Sequence, residues 1–140
     1  MQDIEIRARI AAPPDRVFAV LADHVGYPCW AGVQEAVLRN PGHPRPNGVG
    51  ATRVFRRSGI AVEEEITLFE PPERLGYRGV GGLPLRDYEG EMRLVAADGA
   101  TELTWRVRFR PLLPGTGWLL RRLIARWLGQ TASRLASHLA

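Results

Sequence analysis

A chain of 140 residues, 45% of them apolar, is expected to form a single domain over residues 1–140, large enough to bury roughly 68–70% of its unfolded surface without disulfides or metals. Its formal charge of +4 rests on arginine alone, because no lysine occurs; mixed with many acids and lacking a basic block interleaved with aromatics, it argues for solubility and against nucleic-acid binding. The single cysteine, Cys29, excludes an internal disulfide framework and suits a reducing compartment, and its setting "YPCW" reads as a packed structural thiol.

In the opening stretch "MQDIEIRARI", Ile4, Ile6, Ala8 and Ile10 alternate with Glu5, Arg7 and Arg9. That is a strand pattern, not a charged segment ahead of an apolar leader. No apolar run reaches membrane-spanning length, so stable membrane insertion is not expected and the cytoplasm is the expected location. "AAPPDRVFAVLADH" then reads as a helix, with proline in its first turn, Asp15 early, and Val17, Val20 and Leu21 as the apolar stripe. "VGYPCWAG" is broken by Gly and Pro and supports only a short second helical turn. A weaker strand around "QEAVLRN" leads into the loop "PGHPRPNGVG".

Four stronger strands follow, and their turns set the register. A two-residue turn at Asp98-Gly99 makes Leu94 face Leu103, Met92 face Trp105, Gly90 face Val107 and Tyr88 face Phe109. On the other face it sets Glu91 against Arg106, Glu89 against Arg108 and Asp87 against Arg110. One face is apolar and the other a charge ladder; a one-residue slip would destroy both. A turn at Ser58-Gly59 pairs Phe55 with Val62 and Arg53 with Glu64 on the inner face. A turn at Pro71-Pro72 pairs Ile66 with Tyr77, Leu68 with Leu75, Glu64 with Gly79 and, outside, Glu65 with Arg78. Pro-Pro suits a two-residue hairpin poorly, so a wider loop is expected there. The stretch "VGGLPLRD" reads as a pocket-rim loop between strands. Residues 116–139 carry a long helical pattern whose stripe is Leu120, Leu123, Ile124, Trp127, Leu128, Thr131 and Leu135. An arginine-faced helix of this kind can lie on membranes, but here it is needed to cover the inner sheet face.

Strand, one or two short helices, six strands in a meander and one long helix define an α+β chain. "IAAPPDRVFAVLADHVGYPCW", "EEEITLFEPPERLGYR", "RDYEGEMRL" and "DGATELTWRVRFRP" together resemble the polyketide cyclase/dehydrase group of the START-like (SRPBCC) helix-grip superfamily. The resemblance runs over essentially the whole chain. It implies a curved antiparallel sheet of about seven strands wrapped around the C-terminal helix, with a deep apolar pocket between them. It also implies a hydrophobic or aromatic ligand and, usually, no metal or organic cofactor. The family's familiar positions fall on Trp30, Glu64, Tyr77 and Tyr88.

Glu64 is the residue that most needs an explanation, since a carboxylate on the oily face of a strand is costly without a partner. Register supplies Arg53. Two readings of the pair stand. In one it is a cavity dyad, with Glu64 as general base or ligand anchor and Arg53 polarising a carbonyl or enolate. In the other it is a buried strut that fixes register. Gly79, opposite Glu64, leaves space for a ligand to approach. Tyr77 joins Glu64 and Arg53 as a candidate catalytic group; Trp30, Phe55, Tyr88, Met92, Trp105, Phe109 and Trp127 are candidate ligand walls, or ordinary aromatic packing. His24, His43 and His138 show no metal-ligand spacing, so neither a metal nor another cofactor is expected. His24 reads as a helix-end residue that could reach a pocket mouth. The expected function is binding of a hydrophobic small molecule, by a cofactor-independent cyclase, aromatase or dehydratase or, alternatively, by a non-catalytic carrier or sensor. The partner is that small molecule, with the chain a monomer or homodimer; a weaker alternative is a protein whose basic helix docks on a partner.

Overall fold

The computed structural model describes residues 1–140. Strand β1 (Gln2–Ile10) leads to helix α1 (Pro14–Ala22) and a single 3-10 stretch, His24–Cys29. Strands β2 (Glu35–Asn40), β3 (Thr52–Arg57), β4 (Ile60–Glu70), β5 (Arg74–Gly81), β6 (Leu85–Ala97) and β7 (Ala100–Pro111) follow, and helix α2 (Gly117–His138) closes the chain. All seven strands form one antiparallel sheet in the order β1-β7-β6-β5-β4-β3-β2. The meander leaves β1 and β2 as the edges, and the curved sheet grips α2. No helix is long and apolar enough to cross a membrane.

Local chemistry explains the elements. α1 starts on a proline whose missing N–H costs nothing in a first turn, with Asp15 beside the positive end of the helix; Val17, Phe18 and Leu21 are its buried face. Two hairpins turn through paired left-handed residues, Ser58 (φ 50°) with Gly59 (φ 80°), and Asp98 (φ 51°) with Gly99 (φ 80°). That geometry matches the twist of the flanking strands, and Arg53↔Glu64, Phe55↔Val62, Met92↔Trp105 and Leu94↔Leu103 pair as the sequence register requires. In α2, Ile124, Leu128, Thr131, Ala132 and Leu135 recur at helical spacing and are buried.

Two bulges correct the register read from the turns. The β4–β5 loop takes three residues, Pro71, Pro72 and Glu73, between the paired Glu70 and Arg74, and a shift falls between Ile66 and Leu68. Leu68 therefore faces Gly76, not Leu75, and Phe69 takes the place opposite Leu75. The extra residue rotates Leu68 off the inner face and lets Phe69 meet Phe18 edge to face at 5.3 Å. In β6 a second shift lies between Arg86 and Glu89, where Asp87 adopts φ 51°. Tyr88 consequently does not pair with Phe109, and Arg86 rather than Asp87 lies opposite Arg110. The Asp87 carboxylate still reaches Arg110 at 3.5 Å. Two further expectations fail: Leu123 is exposed, because α2 lies chiefly along β1 and turns Gly117, Leu120 and Ile124 towards the core instead. Cys29 is exposed at the end of the 3-10 stretch, not packed.

Candidate functional site

The inner sheet face and the middle of α2 enclose a cavity of about 70 Å³. Thirteen of its sixteen lining residues are hydrophobic, among them Phe55, Val62, Met92, Trp105, Ile124, Trp127 and Leu128. Leu83, from the short loop between β5 and β6, is also among the lining residues. Arg53, Glu64, Tyr77, Tyr88 and Thr131 bring the polar atoms. Water takes about 30 Å³ per molecule and organic ligands need about 300 Å³ or more, so a ligand enters only if part of this wall moves.

Glu64 and Arg53 face each other across β4 and β3, 5% and 2% exposed. Arg53 donates twice to one carboxylate oxygen, from Nε at 3.0 Å and Nη2 at 2.9 Å to Oε1 of Glu64. Its Nη1 donates to His24 Nδ1 and to the Tyr27 hydroxyl, both at 3.2 Å. The rings of Phe55, Tyr77 and Tyr27 surround the guanidinium carbon at 4.9, 5.0 and 5.2 Å, a cation–π enclosure. Burial alone would lower the Arg53 pKa, but Tyr27, Glu64 and Tyr77 together raise it. Arg53 therefore spends its donors on the protein and holds Glu64 in place. The second carboxylate oxygen, Oε2, receives a single hydrogen bond, from the Tyr88 hydroxyl at 3.3 Å.

His24 and Tyr27 belong to this network, and the sequence register could not reach them because neither lies on a strand. Both come from the 3-10 stretch after α1, which packs chiefly against β2 and sends these two side chains to Arg53 on β3. His24 accepts from Arg53 at Nδ1, so its proton sits on Nε2, which donates to the Asn47 carbonyl at 2.9 Å. Burial, then the charge of Arg53, lowers its pKa to about 4, so at neutral pH it is an uncharged acceptor. Tyr27 donates to the Leu21 carbonyl at 2.7 Å, and burial raises its pKa.

The other predicted residues divide. Tyr77 accepts from the Trp105 indole at 3.0 Å; burial and then Glu64 raise its pKa. Burial, followed by Tyr77 and Glu64, raises Tyr88 well above its ordinary value. Both phenols stay protonated at neutral pH, and the Tyr88 hydroxyl donates to Glu64 Oε2. Gly79 does not hold space for a ligand: a Cβ there would strike the Tyr88 ring, and one at Gly90 would strike the Tyr77 ring. The two glycines are notches into which the tyrosines fit. Trp30 and Phe109 do not line the cavity. Trp30 is buried behind Tyr27, with ring centroids 4.7 Å apart, and Phe109 is sealed in the core of β7. No group of three or more His, Cys, Asp and Glu side chains converges as metal ligands would.

Comparison with known proteins agrees with this architecture. A family model described as "Polyketide cyclase / dehydrase and lipid transport" matches residues 1–140. Uncharacterized proteins of Mycobacterium tuberculosis and Mycobacterium bovis are each 32% identical over 149 residues, covering 91% of this chain and 83% of theirs. Among solved structures, a START superfamily protein from Mycobacterium smegmatis superposes with a TM-score of 0.83 at 15% identity, covering 98% of this chain and 96% of its own. The Zhui aromatase/cyclase from a Streptomyces species gives a TM-score of 0.83 at 18% identity, covering 99% and 93%. At such identities these structures speak to the fold alone.

Proposed function

Because the chain belongs to the polyketide cyclase/dehydrase and lipid transport family, we propose that it takes a hydrophobic or aromatic small molecule into the cavity between sheet and α2 and anchors it on Glu64. The observation that carries this reading is the divided carboxylate. Oε1 is immobilised by Arg53, whereas Oε2 meets only the Tyr88 hydroxyl beside an apolar cavity. A ligand hydroxyl or enol would donate to Oε2, a ligand carbonyl would accept from Tyr88, and the aromatic walls would hold its flat body. Arg53 acts here as a positioning residue.

The same arrangement favours a second, catalytic reading, a cofactor-free cyclase, aromatase or dehydratase on a carbonyl-rich substrate. Oε2 takes the proton from the carbon beside the carbonyl, and Tyr88, a phenol kept protonated by burial, hydrogen-bonds the enolate oxygen. In a dehydration the neutral Glu64 then returns that proton to the departing hydroxyl, which leaves as water. Screening hydrophobic compounds by thermal shift and mass spectrometry, on wild type and on Glu64→Gln, tests both readings. Catalysis predicts that the variant still binds but turns over about 10²-fold or more slowly. A carrier predicts no turnover by either chain and roughly tenfold weaker binding by the variant. Unchanged affinity with no turnover by wild type would remove Glu64 from the function.

A further inference from the structure

One end of the molecule leaves large apolar side chains in water. Leu112 and Leu113, in the loop between β7 and α2, are 45% and 63% exposed, and Trp118, Leu119 and Leu123, in the first two turns of α2, are 64%, 45% and 56% exposed. Leu119 and Leu123 are one turn apart and so share a side of the helix. Exposed apolar groups gathered in this way mark an interaction surface. Arginines punctuate it: Arg122 stands one turn beyond Trp118, Arg126 one turn beyond Arg122, and neither makes an ion pair. From Leu103 to Ala140 the chain contains no Asp or Glu. Asp3 of β1 and Asp87 of β6 already face Arg106 at 3.6 Å and Arg110 at 3.5 Å. The patch therefore joins apolar bulk to uncompensated positive charge.

That combination fits an interface between hydrocarbon and anionic headgroups better than it fits a neutral apolar partner. We propose that this face docks on an anionic lipid surface, with Trp118, Leu119 and Leu123 at headgroup depth and Arg122 and Arg126 on lipid phosphates. The helix lies on the surface and does not cross it. The patch also adjoins the cavity rim: the Leu112 amide donates to the Pro84 carbonyl at 3.1 Å, next to Leu83, which lines the cavity. Docking thus sets the cavity mouth against the lipid, a consequence that rests on the ligand-binding reading above, whereas docking itself does not.

Vesicle co-sedimentation of the full chain separates the two. Wild type is expected to sediment with phosphatidylcholine vesicles containing phosphatidylglycerol and to remain in solution with phosphatidylcholine alone. Raising the salt should release it. Arg122→Glu with Arg126→Glu, and separately Trp118→Ser with Leu123→Ser, should each weaken vesicle binding about tenfold or more while melting as wild type does. Wild type staying in solution with both vesicle types, or the arginine variant binding as wild type does, overturns the proposal. Concentration-dependent dimers abolished by Trp118→Ser, without vesicle binding, overturn it in favour of self-association. Docking by a wild type that binds none of the hydrophobic and aromatic compounds of the thermal-shift screen supports the docking and sinks the cavity reading alone.

Discussion

Glu64 and Glu65 are neighbours on β4, each with an arginine 2.9 Å away, and the two pairs differ in almost every other respect. Glu64 and Arg53 are sealed on the inner face, side chains 7% and 2% exposed; Glu65 and Arg78 lie on the outer face at 33% and 57%. The inner arginine also binds His24 and Tyr27 and sits among three rings. The outer one makes a single ionic contact in water. An ion-pair distance alone therefore says little about what a pair does. Desolvation makes the inner pair expensive to break, whereas solvent screens the outer pair.

Breaking the inner pair on one side should produce the largest effect. Arg53→Ala leaves a buried carboxylate and strands His24 Nδ1, and should destabilise the fold by about 3–5 kcal/mol in chemical denaturation. The double variant Arg53→Met with Glu64→Leu, which removes both charges, should recover part of that loss; no recovery would mean that the cost lies in packing rather than charge.

The next effect is in pH. His24 titrates near 4 when folded and near 6.5 when unfolded. Between those values the unfolded chain carries the extra proton, so the contribution of His24 is fully present above pH 6.5 and is lost as pH falls towards 4. The loss is about 3 kcal/mol. Denaturation across that window should show a steeper slope for wild type than for His24→Gln; parallel curves would put His24 in water. The smallest effect belongs to the outer pair. A double-mutant cycle on Glu65→Ala and Arg78→Ala should give a coupling below about 1 kcal/mol that fades in high salt. A larger, salt-insensitive coupling would erase the distinction between the two faces.

How much of this is legible in the sequence depends on the kind of element. Strand alternation and two Gly-containing turns carry Arg53 to Glu64, Met92 to Trp105 and Glu89 to Arg108, since a period of two leaves no freedom once a turn is set. The same arithmetic misplaces Leu68 and Tyr88, because a bulge adds one residue at a point that strand patterning does not mark. His24 ends the first helical pattern and Tyr27 lies in the Gly- and Pro-broken segment after it, so nothing local ties them to Arg53. Gly79 and Gly90 are visible as omissions, but only packing shows that the omitted bulk is replaced by Tyr88 and Tyr77.

By itself, then, the sequence determines the order of elements, the antiparallel pairings next to well-marked turns, the inward direction of Glu64 and its partner Arg53. These follow from short-range periodicity and turn chemistry, which act between residues close along the chain. Tertiary structure alone decides that Arg53 is spent on holding Glu64, that His24 is its buried neutral acceptor, that Trp30 and Phe109 stay behind the cavity wall, and that the first turns of α2 project their Trp and Leu side chains outward. Each of these depends on where the segment after α1 and the axis of α2 come to rest against the sheet. Burial and close packing across distant parts of the chain set those positions, and no local pattern encodes them.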